Sequence, residues 1–248
     1  KYIKVGQVRI VEKSERSPVV FLHGFPDSPL MYKDYYSVKE QQQPWLKDRN
    51  IFTIAFPNRH THKVSPPSLL ELASGVTYKE VAEIFFQLIL SSPSKKIIII
   101  AHDFGAAHGW EFVKTFQNVA NDHIECFIAL SVASSFRYDL LEHGLRAFVW
   151  AYSSLLCLSF YLPFLKPLQW ALWKMLEIGG GYKGSSPPNQ YDAWHYWYAP
   201  FNIFRLPFDL IGATFVKEYT SYTFPVLFIR SMQDRIAVSR LCFSMSIG

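Results

Sequence analysis

Short apolar runs without alternation recur along the chain. Val19-Val20-Phe21-Leu22, Ile51 to Phe56, Ile97 to Ile100 and Cys126 to Val132 are rich in β-branched and aromatic residues. Such runs predict strands buried on both faces, as in a parallel sheet. Pro225 to Ile229 predicts one more buried strand, followed by Asp234. Lys1 to Lys13 alternates imperfectly around Gly6 and predicts the tail of a hairpin. Between the strands the period changes to helical. Val81, Ile84, Phe85, Leu88 and Ile89 share one helical face. Thr77-Tyr78-Lys79-Glu80 is a capping box in front of it, with Val76 and Val81 as its staple. Trp110, Val113 and Phe116 predict a second helix. A third is predicted from about Leu30 towards Trp45, with Tyr32, Tyr35 and Tyr36 on one side. Strands alternating with helices predict an α/β fold, a mostly parallel, doubly wound sheet.

The chemistry is concentrated at the end of the isoleucine run. Ile97 to Ile100 leads into Ala101-His102-Asp103-Phe104-Gly105 and then the helix carrying Trp110. A strand, a sharp turn with one reactive residue at its apex and a helix form a nucleophile elbow. Small residues at 101 and 105 suit a turn where strand and helix backbones nearly touch. A second motif, His23-Gly24-Phe25-Pro26, follows the Val19 to Leu22 run. With the strand and acid at 225–234, these stretches resemble the α/β-hydrolases. The Asp at the apex and the His-Gly-x-Pro motif are similar to the aspartate-nucleophile branch, the epoxide hydrolases and haloalkane dehalogenases.

That resemblance implies a hydrolase core from residues 1–138 and 216–248, with a helical, aromatic-rich lid at 139–215 inserted before the last strands. It implies Asp103 as nucleophile, the backbone N–H groups of Phe25 and Phe104 as the oxyanion hole, and Asp234 as the acid that orients a catalytic histidine. A carboxylate nucleophile suits an electrophilic sp3 carbon, such as an epoxide carbon, and forms an alkyl-enzyme ester. His102 and His108 do not fit the base, one preceding the nucleophile and the other lying on the next helix. The family's base follows one more strand. Only 14 residues follow Asp234 and none is His. The expectation is therefore a chain that lacks the final strand, base and closing helix, either a fragment or a variant.

The lid bears on which chemistry is run. In epoxide hydrolases lid tyrosines protonate the opening ring, and Tyr152, Tyr196 and Tyr198 are the candidates here. Haloalkane dehalogenases commonly place a Trp indole after the nucleophile. Phe104 offers no such donor, which counts against a haloalkane; it also departs from the epoxide hydrolases, where Trp is frequent at that position, although the backbone N–H still serves the oxyanion. The loop Pro57 to Lys63 is basic and has no Gly, a departure from the acidic, glycine-rich loop of relatives. Its His60-Thr61-His62 lacks a third ligand, so no metal is expected. No cofactor is expected either.

Composition narrows the partners. The 248 residues are half hydrophobic, enough for one sizeable core. A net charge of +5 without a Lys/Arg run gives no support for nucleic-acid binding. Cys126, Cys157 and Cys242 have neither disulfide-framework nor zinc spacing, and no signal-peptide pattern opens the chain. An intracellular protein, cytoplasmic or membrane-associated, is expected. Ala147 to Leu165 is uncharged and aromatic. It reads as a lid helix pair, with a membrane segment as the alternative. A third reading, a non-catalytic binding protein that keeps the fold, follows from the missing base and the greasy lid.

Overall fold

The computed structural model describes residues 4–9, 11, 14–24, 27–33, 35, 44–55, 78–91, 96–131 and 222–229, with isolated positions between 164 and 178. Six strands form one sheet: β1 (Lys4–Arg9), β2 (Val19–Leu22), β3 (Ile51–Ala55), β4 (Ile97–His102), β5 (Ile124–Leu130) and β6 (Val226–Ile229), in the order β1-β3-β2-β4-β5-β6. Three α-helices are described: α1 (Tyr78–Ser91), α2 (Phe104–Thr115) and α3 (Gln117–His123). All pairings are parallel except that of β1 with β3. This is the α/β-hydrolase arrangement, a parallel central sheet interleaved with helices. β1 pairs antiparallel with β3 across the sheet rather than with β2, its neighbour in sequence; residues 1–3, where the tail of the expected hairpin begins, lie outside the described residues.

The isoleucine run explains the position of β4. Ile97, Ile98, Ile99 and Ile100 are all buried, and the strand lies between β2 and β5. Alternate side chains enter separate clusters. Val20, Leu22, Ile97, Ile99 and Ala101 join Val81, Phe85, Trp110, Phe112 and Phe127 under α1 and α2. Val19, Phe21, Ile98 and Ile100 join Tyr32, Leu46 and Ile51 on the other face. An all-apolar strand is stable only where both faces are covered, and here they are. In α1, Val81, Phe85 and Ile89 are buried at the predicted spacing, with Ile84 half-buried; Val76 and Thr77 lie outside the described residues.

One expectation is corrected. β6 is not buried: Val226, Leu227 and Ile229 are exposed. Among the described residues β6 pairs only with β5, and an edge strand loses the burial that a neighbour would give. The helix expected from about Leu30 towards Trp45 opens as a 3-10 helix over Pro29–Tyr32, capped by the Ser28 hydroxyl, which accepts from the Leu30 N–H; Lys33 and Tyr35 are helical, and positions 36–43 lie outside the described residues. Trp45 belongs to a separate 3-10 turn, Pro44–Leu46. Proline at the start of each turn lacks an N–H and fixes φ, which sets a new element there.

At the end of the sheet away from the elbow, Arg49 ties three segments together. It donates to the Ser17 and Trp45 carbonyls at 2.6 and 2.9 Å and lies 3.8 Å from Glu125. The Ser17 hydroxyl donates to the same carboxylate. These contacts fix the starts of β2, β3 and β5.

Candidate active site

The parallel pairing of β2 with β4 builds the site. Leu22 lies opposite Ala101, so both strands end on the same side. His23-Gly24 and His102-Asp103 therefore emerge next to each other. Asp103 has φ 50° and ψ −121°, a conformation that a residue with a Cβ rarely adopts. The turn is held from both sides. The Asp103 N–H donates to the Leu130 carbonyl at 3.1 Å, and the Asp103 carbonyl accepts from the Ala107 N–H at 3.0 Å, within the first turn of α2.

Two glycines let this strained turn sit against β2. A Cβ on Gly24 would stand 2.4 Å from the Asp103 Cβ and 2.6 Å from its Oδ2. A Cβ on Gly105 would stand 2.6 and 2.7 Å from the Leu22 and His23 carbonyl oxygens. Side chains cannot occupy those spaces. The carboxylate of Asp103 is thus seated directly over the backbone of the His-Gly motif. Phe104 is the first residue of α2, so its N–H lies at the positive end of the helix dipole, where developing negative charge is stabilised.

The surroundings of Asp103 are partly polar. Tyr32 is buried; its hydroxyl donates to the Leu22 carbonyl at 2.9 Å and so anchors the end of β2. Burial holds the Tyr32 phenol well above the usual tyrosine range, and the nearby Asp27, Tyr35 and Asp103 push it the same way. Tyr35 packs edge-on against Tyr32, with ring centroids 6.4 Å apart, and is exposed. His102 Nδ1 is 4.0 Å from Asp27 Oδ2. Behind the elbow lie two buried histidines, His23 and His108. Burial lowers the His108 pKa to about 3, and the neighbouring His23 adds to the effect. His108 is therefore neutral near pH 7 and sits in the packing of α2.

The structure places Asp103 and Phe104 together at the elbow, at the end of the strand where the sequence puts them. Phe25, Tyr152, Tyr196, Tyr198 and Asp234 lie outside the described residues, as does the loop at 57–63. Sequence reasoning missed Asp27 and Tyr32. The available signal was a loop, Pro26-Asp27-Ser28-Pro29, directly after a strand that ends beside the nucleophile. Among the described residues no cluster of three or more His, Cys, Asp or Glu side chains could hold a metal ion.

Comparison with known proteins agrees with this geometry. The family model described as "Alpha/beta hydrolase family" matches residues 19–245. Curated relatives include the "Probable oxidoreductase EphD" of Mycobacterium tuberculosis, 28% identical over 173 residues, which cover 65% of this chain and 27% of the relative. The chain thus spans about a quarter of the length of the curated relatives it matches. Among solved structures, a Nostoc protein assigned to the alpha/beta hydrolases superposes with a TM-score of 0.55 at 16% identity, covering 93% of this chain and 81% of its own. A product complex of a mutant epoxide hydrolase from Bacillus megaterium gives 0.50 at 17% identity, covering 78% and 67%. At those identities the likeness speaks for the fold. With the family match spanning most of the sequence, the sheet order and the elbow in place, the chain belongs to the alpha/beta hydrolase family.

Proposed function

We propose that this chain carries the nucleophile of an epoxide-hydrolase-like enzyme acting on a hydrophobic epoxide. The observation that carries the reading is the strained Asp103 at the elbow apex, its carboxylate packed over Gly24. A Ser at that position attacks acyl carbons. A carboxylate attacks an sp3 carbon instead. One Asp103 oxygen bonds to an epoxide carbon as the ring C–O bond breaks, giving an ester and an alkoxide that takes up a proton. Tyr152, Tyr196 and Tyr198 are the donors we assign to that proton. Water then attacks the Asp103 carbonyl carbon, and the diol leaves with the original carboxylate oxygen. The Phe104 N–H, with that of Phe25, stabilises the oxyanion of this second step. We assign Asp234 to orient the histidine that activates the water, a residue the sequence does not supply after position 234.

The test is consumption of a hydrophobic epoxide such as styrene oxide, compared with Asp103→Asn. Diol or a stoichiometric enzyme adduct is expected from the first and neither from the second. Equal consumption by both proteins contradicts the reading. Halide release from a haloalkane, without reaction of the epoxide, moves the assignment to the dehalogenase-like alternative. The Phe at position 104, which lacks a side-chain donor for halide, favours the epoxide. Folded protein that reacts with neither substrate supports the non-catalytic reading.

A further inference from the structure

A second strained residue stands beside Asp103. Ser131, the first residue after β5, has φ 69°, in the left-handed region that a residue with a Cβ seldom enters. Asp103, with φ 50°, ends the neighbouring strand β4. Among the described residues the other non-glycine residue with positive φ is Asp48, in the turn that leads into β3 at the opposite end of the sheet.

One peptide unit links the two strained residues. His102 lies opposite Leu130, and Leu130 opposite Ile229, so β4, β5 and β6 end at one level. The Leu130 carbonyl accepts from the Asp103 N–H at 3.1 Å, and the Ser131 N–H donates to the Ile229 carbonyl at 2.9 Å. Both bonds belong to the planar Leu130–Ser131 peptide, whose C=O and N–H point opposite ways. On one side it holds Asp103. On the other it is held by the last residue of β6, the strand whose chain continues to Asp234. A left-handed residue other than glycine persists only where its surroundings over-determine it. For Asp103 those surroundings include this peptide at its N–H and Ala107 at its carbonyl.

We propose that Ser131 is a positioning residue for the nucleophile: its left-handed backbone keeps the Leu130–Ser131 peptide in line between Ile229 and Asp103, and that peptide keeps Asp103 in its strained conformation. The consequence for catalysis rests on Asp103 being the nucleophile. φ at 131 is the rotation about the bond that joins this peptide to the next Cα. A residue that resists positive φ there tips the peptide, and the Asp103 N–H loses its acceptor. Glycine enters the left-handed region freely. A β-branched residue is a genuine outlier in it.

The experiment compares Ser131→Gly, Ser131→Ala and Ser131→Val with the parent chain. Amide hydrogen exchange by NMR reads the Asp103 N–H directly, with the buried Ile99 of β4 as the control for folding. In Ser131→Val the Asp103 amide should exchange about tenfold faster or more, while Ile99 stays protected. The rate of enzyme–epoxide adduct formation at saturating styrene oxide should fall by a similar factor, with the half-saturating concentration unchanged. Ser131→Gly should keep both properties of the parent, because it keeps the backbone conformation. Ser131→Ala should follow the parent too, because the hydroxyl has no part in the argument. Unchanged Asp103 exchange in folded Ser131→Val overturns the proposal, as does an alanine variant that behaves like the valine one. If the valine variant does not fold, the other pair decides: glycine should give a higher urea midpoint than alanine at 131, and an equal or lower one overturns the proposal. A parent chain that forms no adduct counts against the nucleophile reading alone, since the exchange measurement stands without it.

Discussion

His108 makes the elbow helix sensitive to acid in a calculable way. It is fully buried on α2, against the other buried histidine, and its pKa falls from 6.5 to about 3 in the folded chain. Unfolding returns it to its ordinary value, so between these two pH values the unfolded chain binds the extra proton. Stability is therefore fully present above about pH 6.5 and is lost as pH falls towards 3. The gap corresponds to about 5 kcal/mol at the acid limit, an order-of-magnitude figure comparable with the whole stability of an ordinary domain. By pH 5 about 2 kcal/mol of it should already be gone. The assay is urea unfolding from pH 8 to pH 4 on the parent chain and on His108→Gln, which has no group that titrates there. The parent should lose stability more steeply below pH 6.5, and the two curves should converge as pH falls. Parallel curves would refute the argument, as would an NMR titration that places His108 near 6.5.

Three further outcomes follow from the packing. Gly24→Ala puts a methyl 2.4 Å from the Asp103 Cβ; epoxide consumption should fall at least tenfold, about 1.4 kcal/mol in barrier, and unchanged kinetics would contradict the seating of the nucleophile. Tyr32→Phe removes the hydroxyl that donates to Leu22 and leaves that buried carbonyl without this donor, costing about 1–3 kcal/mol in denaturant unfolding. Phe112→Ala empties a fully buried site against Phe85 and Phe116 and should cost about 3–5 kcal/mol by the same assay.

The centre of the fold was legible because its strands are buried twice over. Ile97 to Ile100 can be apolar at every position only where both faces are covered, and the parallel sheet follows from that. The elbow was legible for a related reason: Gly105 and Gly24 stand where two backbones and a carboxylate leave no space for a Cβ. The run at 226–229 misled, because an apolar run does not say how far a strand is covered, and among the described residues β6 has a neighbour on one side only. The pairing of β1 with β3 was equally hidden, since alternation in one strand does not name its partner. Tyr32 read only as one side of a helix, and Asp27 was not placed at the site because a turn rich in Pro and Ser reads as a connection. Only the side-by-side ends of β2 and β4 bring it to Asp103.

The central claim is that Asp103 forms a covalent ester. The most direct measurement is peptide mapping by mass spectrometry after exposure of the native protein to a hydrophobic epoxide and rapid acid quench. The account predicts a mass increase equal to one epoxide on the peptide containing Asp103, absent from Asp103→Asn. Diol formed with no adduct at any time, or an adduct on another residue that persists in Asp103→Asn, would contradict it.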